Sequence, residues 1–145
     1  MKALLQRVAE ARVTVAGEPV AAIGRGVLVF LGVEPGDSAD EAARLAAKTV
    51  ALRIFPDAGK PMNRSVMDVD GGILVVSQFT LAADTSRGNR PGFSTAAPPD
   101  QAQRLYDAFI AALREHHPRV AAGIFGADMQ VALVNDGPVT FLLER

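Results

Sequence analysis

Asp128-Met129-Gln130-Val131-Ala132-Leu133-Val134 alternates in polarity, passes into Asn135-Asp136-Gly137-Pro138, and is followed by a second apolar run, Val139-Thr140-Phe141-Leu142-Leu143. Both runs read as strands. The Gly-Pro pair between them is a stiff corner where a sheet would otherwise continue. Proline has no N–H to give a ladder and holds φ near about −65°. Glycine before it reaches backbone angles closed to other residues, and X-Pro bonds are the ones in which a cis peptide costs little. Such a corner can turn backbone carbonyls and N–H groups outward. Taken alone, Gly137-Pro138 reads most simply as a turn between two strands.

A second unusual stretch is Ser77-Gln78-Phe79-Thr80-Leu81. It ends an apolar run that predicts a buried strand from Ile73 to Phe79. If Val76 faces the core, alternation sends Gln78 and Thr80 the same way, and Ser77 and Phe79 to the other face. Polar side chains in a core register need partners. A strand end passing into a loop, with its hydroxyls bonded to nearby backbone, accounts for the same residues.

The remaining elements follow outward from these two stretches. Lys2 to Val8 and Arg12 to Ala16 read as two short strands, Ala16-Gly17-Glu18-Pro19 as a turn, and Gly26 to Val33 as a central strand. Ser38-Ala39-Asp40-Glu41 has the form of a capping box and opens a helix over 39–52, with Ala42, Leu45, Ala46, Thr49 and Leu52 at helical spacing. Residues 55–72 are irregular, with an extended piece around Arg64 to Val69. The polar segment 82–97, with Arg87, Arg90 and Phe93, exceeds an ordinary connection, and long loops are often functional. Pro98-Pro99-Asp100 opens a second helix with an apolar stripe of Ala102, Leu105, Tyr106, Phe109, Ala112 and Leu113, stopped by Pro118. Gly123 to Ala127 is a loop carrying Phe125. The order β-β-β-α-β-α-β-β, with about seven or eight strands to two helices, predicts an α+β fold with a mainly antiparallel sheet or barrel.

Composition narrows the chemistry. The chain has 145 residues, 49% of them hydrophobic, enough for one buried core and one domain spanning 1–145. No apolar run approaches a membrane span, and a charge lies close to the short apolar patch at the N-terminus, so a cytoplasmic location is expected. Cysteine is absent, which excludes disulfides, thiolate nucleophiles and zinc-thiolate sites. Net charge is −1. Proteins that coat nucleic acid are usually basic over a whole face, so a nucleic-acid partner would be touched locally.

No side-chain catalyst stands out. A hydroxyl nucleophile needs a base, and His116 and His117 fall at the end of the second helix, where a solvated surface pair is expected. P-loop, HExxH and GxGxxG patterns are missing. Asp68 and Asp70 read as turn residues. Arg87 and Arg90 on a glycine-bearing loop can grip phosphate, but an exposed arginine pair is common on any protein surface. Neither a metal nor a cofactor is expected.

Together the two unusual stretches are specific. SQFTLAADTSRGNRPGFS and VNDGPVTF resemble the two signature motifs of the D-aminoacyl-tRNA deacylases. The run Leu5 to Val15, Leu31-Gly32-Val33, Arg53-Ile54-Phe55 and Ala127 to Val131 are similar to that family in order and spacing, so the resemblance covers essentially the whole chain. It implies a compact, barrel-like α+β homodimer that removes D-amino acids esterified to tRNA. It implies further that the Gly137-Pro138 corner has a cis bond and enters the site of the neighbouring subunit. Ser77, Gln78, Phe79 and Thr80 would form the floor of the pocket, Phe125 and Met129 would lie nearby, and Arg7 would hold the corner. The substrate would be the 3′ end of tRNA carrying a D-amino acid or, because glycine has no side chain to reject, glycine. Backbone N–H groups around Phe79 and Thr80 would serve the developing oxyanion, with Thr80 acting through its backbone rather than its hydroxyl.

Three alternatives stay open on the sequence. One is a sister deacylase with a trans Gly-Pro bond that accepts L-alanyl-tRNA. Another is a non-catalytic RNA-binding module, which should show a basic face and interleaved aromatics. The third is a hydroxyl-nucleophile hydrolase of small esters.

Overall fold

The computed structural model describes residues 1–145. Its elements are β1 (Lys2–Val15), β2 (Glu18–Ile23), β3 (Gly26–Gly32), α1 (Ala39–Ala51), β4 (Gly72–Ser77), a 3-10 turn (Phe79–Ala82), α2 (Pro99–His116), β5 (Val120–Ala122) and β6 (Met129–Glu144). The expected element string is observed, but for partly different reasons. The two N-terminal strands are one long strand, and the two C-terminal runs are also one strand, β6, which continues through the Gly-Pro corner. Two strands without a strong periodic signature, β2 and β5, restore the count, so there are six strands and not seven or eight.

β1 is the organising strand. It pairs antiparallel with β2, β3 and β6, while β3–β4 and β4–β5 are parallel. The sheet is therefore mixed, antiparallel around β1 and parallel on the far side, and it curls until β2 comes back against β4 and β5. The parallel steps follow from the crossovers. A helix lies between β3 and β4 and another between β4 and β5, and parallel neighbours need a connection of that length. The β1–β2 hairpin turns through Ala16 and Gly17, with φ of 50° and 79°. Two positive φ values are what a tight hairpin following the twist of its strands demands.

Both faces of β3 and β4 are buried. Val27, Val29, Leu31, Ile73 and Val75 face α1 and α2 in the larger core, whereas Leu28, Leu74 and Val76 face inward with Val8, Ala11 and Val13 in a smaller one. Near-continuous apolar strands in the sequence are the mark of this double burial. In β1, Leu5 faces the helices, yet Ala11 and Val13, also odd-numbered, face the inner core. A one-residue bulge at Ala9, where Val8 pairs with Asn135 and Glu10 with Val134, makes the switch.

α1 carries its complete capping box, Ser38 and Glu41 each bonding the other's backbone N–H. At the end of α2 the histidines do not form a solvated pair. His117 is buried, and its Nε2 lies 2.6 Å from the Gly71 carbonyl. The helix ends pointing into the turn that starts β4, so a residue one step past the last turn meets protein and not water. His117→Leu leaves that buried carbonyl without its partner and should lower unfolding stability by about 1–3 kcal/mol. Because Gly71 lies at the opposite end of β4 from Ser77, the folded variant should keep wild-type turnover; denaturant melts beside an activity assay check both halves.

Candidate active site

β4 stops at Ser77, two residues earlier than its apolar run predicts. Gln78 donates its backbone N–H to the Leu31 carbonyl at 2.7 Å, and the chain then winds into the 3-10 turn. The turn sits close on β3: a Cβ on Gly32 would stand 2.9 Å from the Leu81 Cβ and 3.0 Å from the Gln78 carbonyl oxygen. Glycine at 32 thus allows the approach. Strand alternation does not extend past Ser77, so Gln78 and Thr80 do not share a core-facing register. Gln78 is half-buried, Thr80 is exposed, and the Gln78 Nε2 donates to the Thr80 Oγ1 at 2.6 Å.

Beside the turn opens a cavity of about 290 Å³. Ser77, Gln78, Phe79, Phe125 and Met129 line it, which brings five of the expected residues together. Thr80 lies just outside. Phe79 stands at the mouth, 56% exposed, with its ring 5.1 Å from that of Phe93 on the long polar segment. That segment is tied back by a bridge between Asp84 and Gly92 and by a bond from the Thr95 hydroxyl to the Ala82 carbonyl. Arg87 and Arg90 are carried at its exposed tip without ion-pair partners.

The N–H groups of Phe79 and Thr80 donate to no protein acceptor, whereas those of Gln78, Leu81 and Ala83 all do. This follows from the 3-10 turn, whose first N–H groups have no preceding carbonyl in reach. Two adjacent free donors beside a cavity are the elements of an oxyanion site. No base accompanies the Thr80 hydroxyl: its only hydrogen bond is the one it accepts from Gln78, and His117 lies at the far end of β4.

Gly137, Pro138 and Arg7 form a separate group and do not line this cavity. Gln6 pairs with Thr140 and Val8 with Asn135, so two steps along β1 span five along β6. The excess, centred on Asp136-Gly137-Pro138, is extruded from the ladder and exposed, and the Gly137-Pro138 peptide is cis. Arg7 Nε donates to the Asp136 carbonyl at 2.8 Å and pairs with its carboxylate at 3.1 Å; Nη1 donates to the Ile54 carbonyl at 2.6 Å. In return the Asn135 amide donates to the Arg7 carbonyl at 2.9 Å and to the Val139 carbonyl at 3.2 Å. A Cβ on Gly137 would come 2.5 Å from the Asn135 Oδ1 and closer still to the Val139 nitrogen. This corner is held from both sides.

Two polar residues of the cavity, Asp128 and Tyr106, escaped the sequence reading. Asp128 is the one charged side chain in the lining, and it is exposed and unpaired. Tyr106, read as part of the α2 stripe, reaches the cavity floor with its hydroxyl 3.1 Å from the Val75 carbonyl. A buried tyrosine in an apolar stripe needs a partner for its O–H, and that was the available signal.

A family model described as D-Tyr-tRNA(Tyr) deacylase matches residues 4–144. A protein of Polaromonas naphthalenivorans named D-aminoacyl-tRNA deacylase is 62% identical over 148 aligned positions, covering 99% of this chain and 96% of its own. One of the same name from Geobacter sulfurreducens is 60% identical, covering 99% and 95%. Among solved structures, the c-Myc DNA Unwinding Element Binding Protein superposes with a TM-score of 0.94 at 44% identity, over 100% of this chain and 99% of that one. A probable eukaryotic D-amino acid tRNA deacylase superposes with a TM-score of 0.85 at 19% identity, over 98% and 97%, a likeness of fold.

Burial, and secondarily the charge of Asp107, push the Tyr106 phenol up to about 12. The folded state therefore holds this proton more tightly than the unfolded chain, whose tyrosine titrates near about 10. The associated stability is complete below pH 10 and is lost as pH rises toward 12. Tyr106 is the chain's single tyrosine, so absorbance at the tyrosinate band should show one late transition in the native protein and an ordinary one in denaturant.

Proposed function

The chain belongs to the D-Tyr-tRNA(Tyr) deacylase family, hydrolases acting on D-aminoacyl-tRNA, and from that premise we propose how this sequence performs the reaction. The ester bond at the 3′ end of the tRNA is placed beside Ser77, Gln78, Phe79 and Thr80, within the cavity walled by Phe125 and Met129. Water attacks the carbonyl, the free N–H groups of Phe79 and Thr80 take up the negative charge that develops on its oxygen, and the 2′-hydroxyl of the terminal adenosine assists the attack. The products are the free amino acid and the tRNA. The observation that carries this reading is the pair of unpartnered backbone donors on the 3-10 turn.

Chirality is read by a second copy of the chain. The Gly137-Pro138 corner of one subunit enters the cavity of the other, so the active enzyme is a homodimer. Carbonyls of the corner bind the substrate ammonium group and leave no room for a side chain of L configuration, which is specificity by exclusion. Support comes from the corner's exposure, its double clamp by Arg7 and Asn135, and its position away from the cavity of its own chain. Glycyl-tRNA, having nothing to exclude, is a further substrate. The work is done in the cytoplasm, where tRNA is charged; no helix is long and apolar enough to cross a membrane.

Hydrolysis of D- and L-tyrosyl-tRNA, followed by release of labelled amino acid, tests the scheme. Wild-type protein should cleave the D ester and spare the L ester. Gly137→Ala, which must displace the corner, should cut kcat/KM on the D ester by about tenfold or more while the fold is retained; an unchanged D-to-L ratio would refute the exclusion. Thr80→Ala should keep most activity, and an acyl group trapped on Thr80 would overturn the backbone role. Dilution until light scattering reports monomer should abolish turnover.

A further inference from the structure

We propose that Tyr106 is a positioning residue of this enzyme: its hydroxyl, shared between the Val75 and Gly123 carbonyls, fixes the Phe125-bearing wall of the cavity and so sets how tightly the esterified tRNA end is held. The inference rests on the placement of that end in the cavity.

The clamp lies where the chain leaves the sheet. β5 ends at Ala122, opposite Val75, and the Gly123 N–H donates to the Val75 carbonyl at 2.9 Å. From α2, Tyr106 brings its hydroxyl to 3.1 Å from that same carbonyl and 3.5 Å from the Gly123 carbonyl. Both lone pairs of the Val75 oxygen are then engaged, and the one phenolic proton bridges strand and loop. Beyond this point the loop has no ladder partner until β6 begins at Met129. The last anchored residue before Phe125 is therefore Gly123.

The aromatic ring extends the effect. Its centroid lies 5.8 Å from that of Phe125, the planes inclined by 51°, a favourable tilted pair. Behind these rings is a second hollow of about 420 Å³, lined by Tyr106 and Phe125 together with Asp107, Ile110 and Arg114. The Tyr106–Phe125 pair is thus the partition between the catalytic cavity and this outer hollow. Gly123 also packs against Met129, with the Met129 Sδ 2.6 Å from where a Cβ would stand. Releasing Gly123 would loosen two cavity walls without touching the oxyanion donors on the 3-10 turn or the Gly137-Pro138 corner.

A role of this kind predicts a split between binding and chemistry. Tyr106→Phe keeps the ring and removes the hydroxyl. KM for D-phenylalanyl-tRNA should rise by roughly fivefold, the factor carried by one ordinary hydrogen bond, with kcat and the D-to-L ratio unchanged. Phe125→Leu should raise KM similarly, and the double variant should add little more, because both changes act on one wall. The chain has one tyrosine and no tryptophan, so wild-type intrinsic emission reports Tyr106 alone. It should respond to 3′-deoxyadenosine carrying D-alanine through a hydrolysis-resistant 3′-amide. Emission unmoved by that analogue takes the cavity out of the substrate path and the inference with it. Emission that moves while Tyr106→Phe keeps wild-type KM overturns the inference alone. A Tyr106→Phe protein that fails to fold, or loses kcat and D-to-L ratio together, also overturns it, since the hydroxyl would then serve the whole fold or the chemistry.

Discussion

Arg7 ties a three-residue excess of β6 back onto β1, and the geometry of the Gly137-Pro138 corner depends on that tie. Its guanidinium reaches the Asp136 carbonyl and carboxylate from one side and the Ile54 carbonyl from the other. Extruded backbone is normally mobile, because it has left the ladder that would hold it. Here the flanking ladder resumes at Thr140, Asn135 bonds both Arg7 and Val139, and Gly137 sits where no Cβ fits. A corner held this way can project from the surface and still present its carbonyls at fixed positions. Lysine could not substitute, since a single ammonium lacks the planar fork that spans Asp136 and Ile54 together.

The same economy governs the cavity. Its polar equipment is largely main chain: two free N–H groups where a strand gives way to a 3-10 turn. Preorganised donors of that kind need no reorientation as charge develops, which is where most electrostatic catalysis resides. The buried titratable side chains hold the fold around the cavity. Buried His117 locks the turn at the start of β4, buried Tyr106 bridges two carbonyls, and Arg119 pairs with Asp70 in the same turn as His117. The two ends of β4 are thus divided, one for the architecture and one for the site.

Much of this was legible in the sequence, and the failures share a cause. Ser38 and Glu41, the stripes of both helices, and the doubly buried β3 and β4 are local patterns, and local patterns survive folding. The errors arose where tertiary pairing overrides local signals. Gly-Pro reads as a strand break, yet β1 runs alongside both halves and keeps β6 whole. Glu10 and Ala9 look like an interruption of β1, yet a bulge absorbs them. His117 follows a helix end and reads as solvated, but which direction that end faces is a property of the packed molecule. Residues 77, 78, 79, 125 and 129 were gathered by motif resemblance, and no periodicity would have joined residues some fifty positions apart. Tyr106 escaped because apolar stripe membership explained it too readily.

The discrimination by main chain proposed above also fits the chain's composition. A site that reads handedness through side chains would need complementary pockets for every amino acid it removes. Exclusion by a rigid corner would ask only whether a substituent points toward the wall, so one geometry would serve many D residues. The requirement moves from chemistry to stiffness. Gly32 lets the 3-10 turn seat closely on β3, and Gly137 lets Asn135 close on the corner, so both halves of the device are set by approaches that a single methyl group would prevent. Recognition confined to one end of the tRNA, as proposed, would need no broad basic face, and a net charge of −1 is compatible with a nucleic-acid substrate.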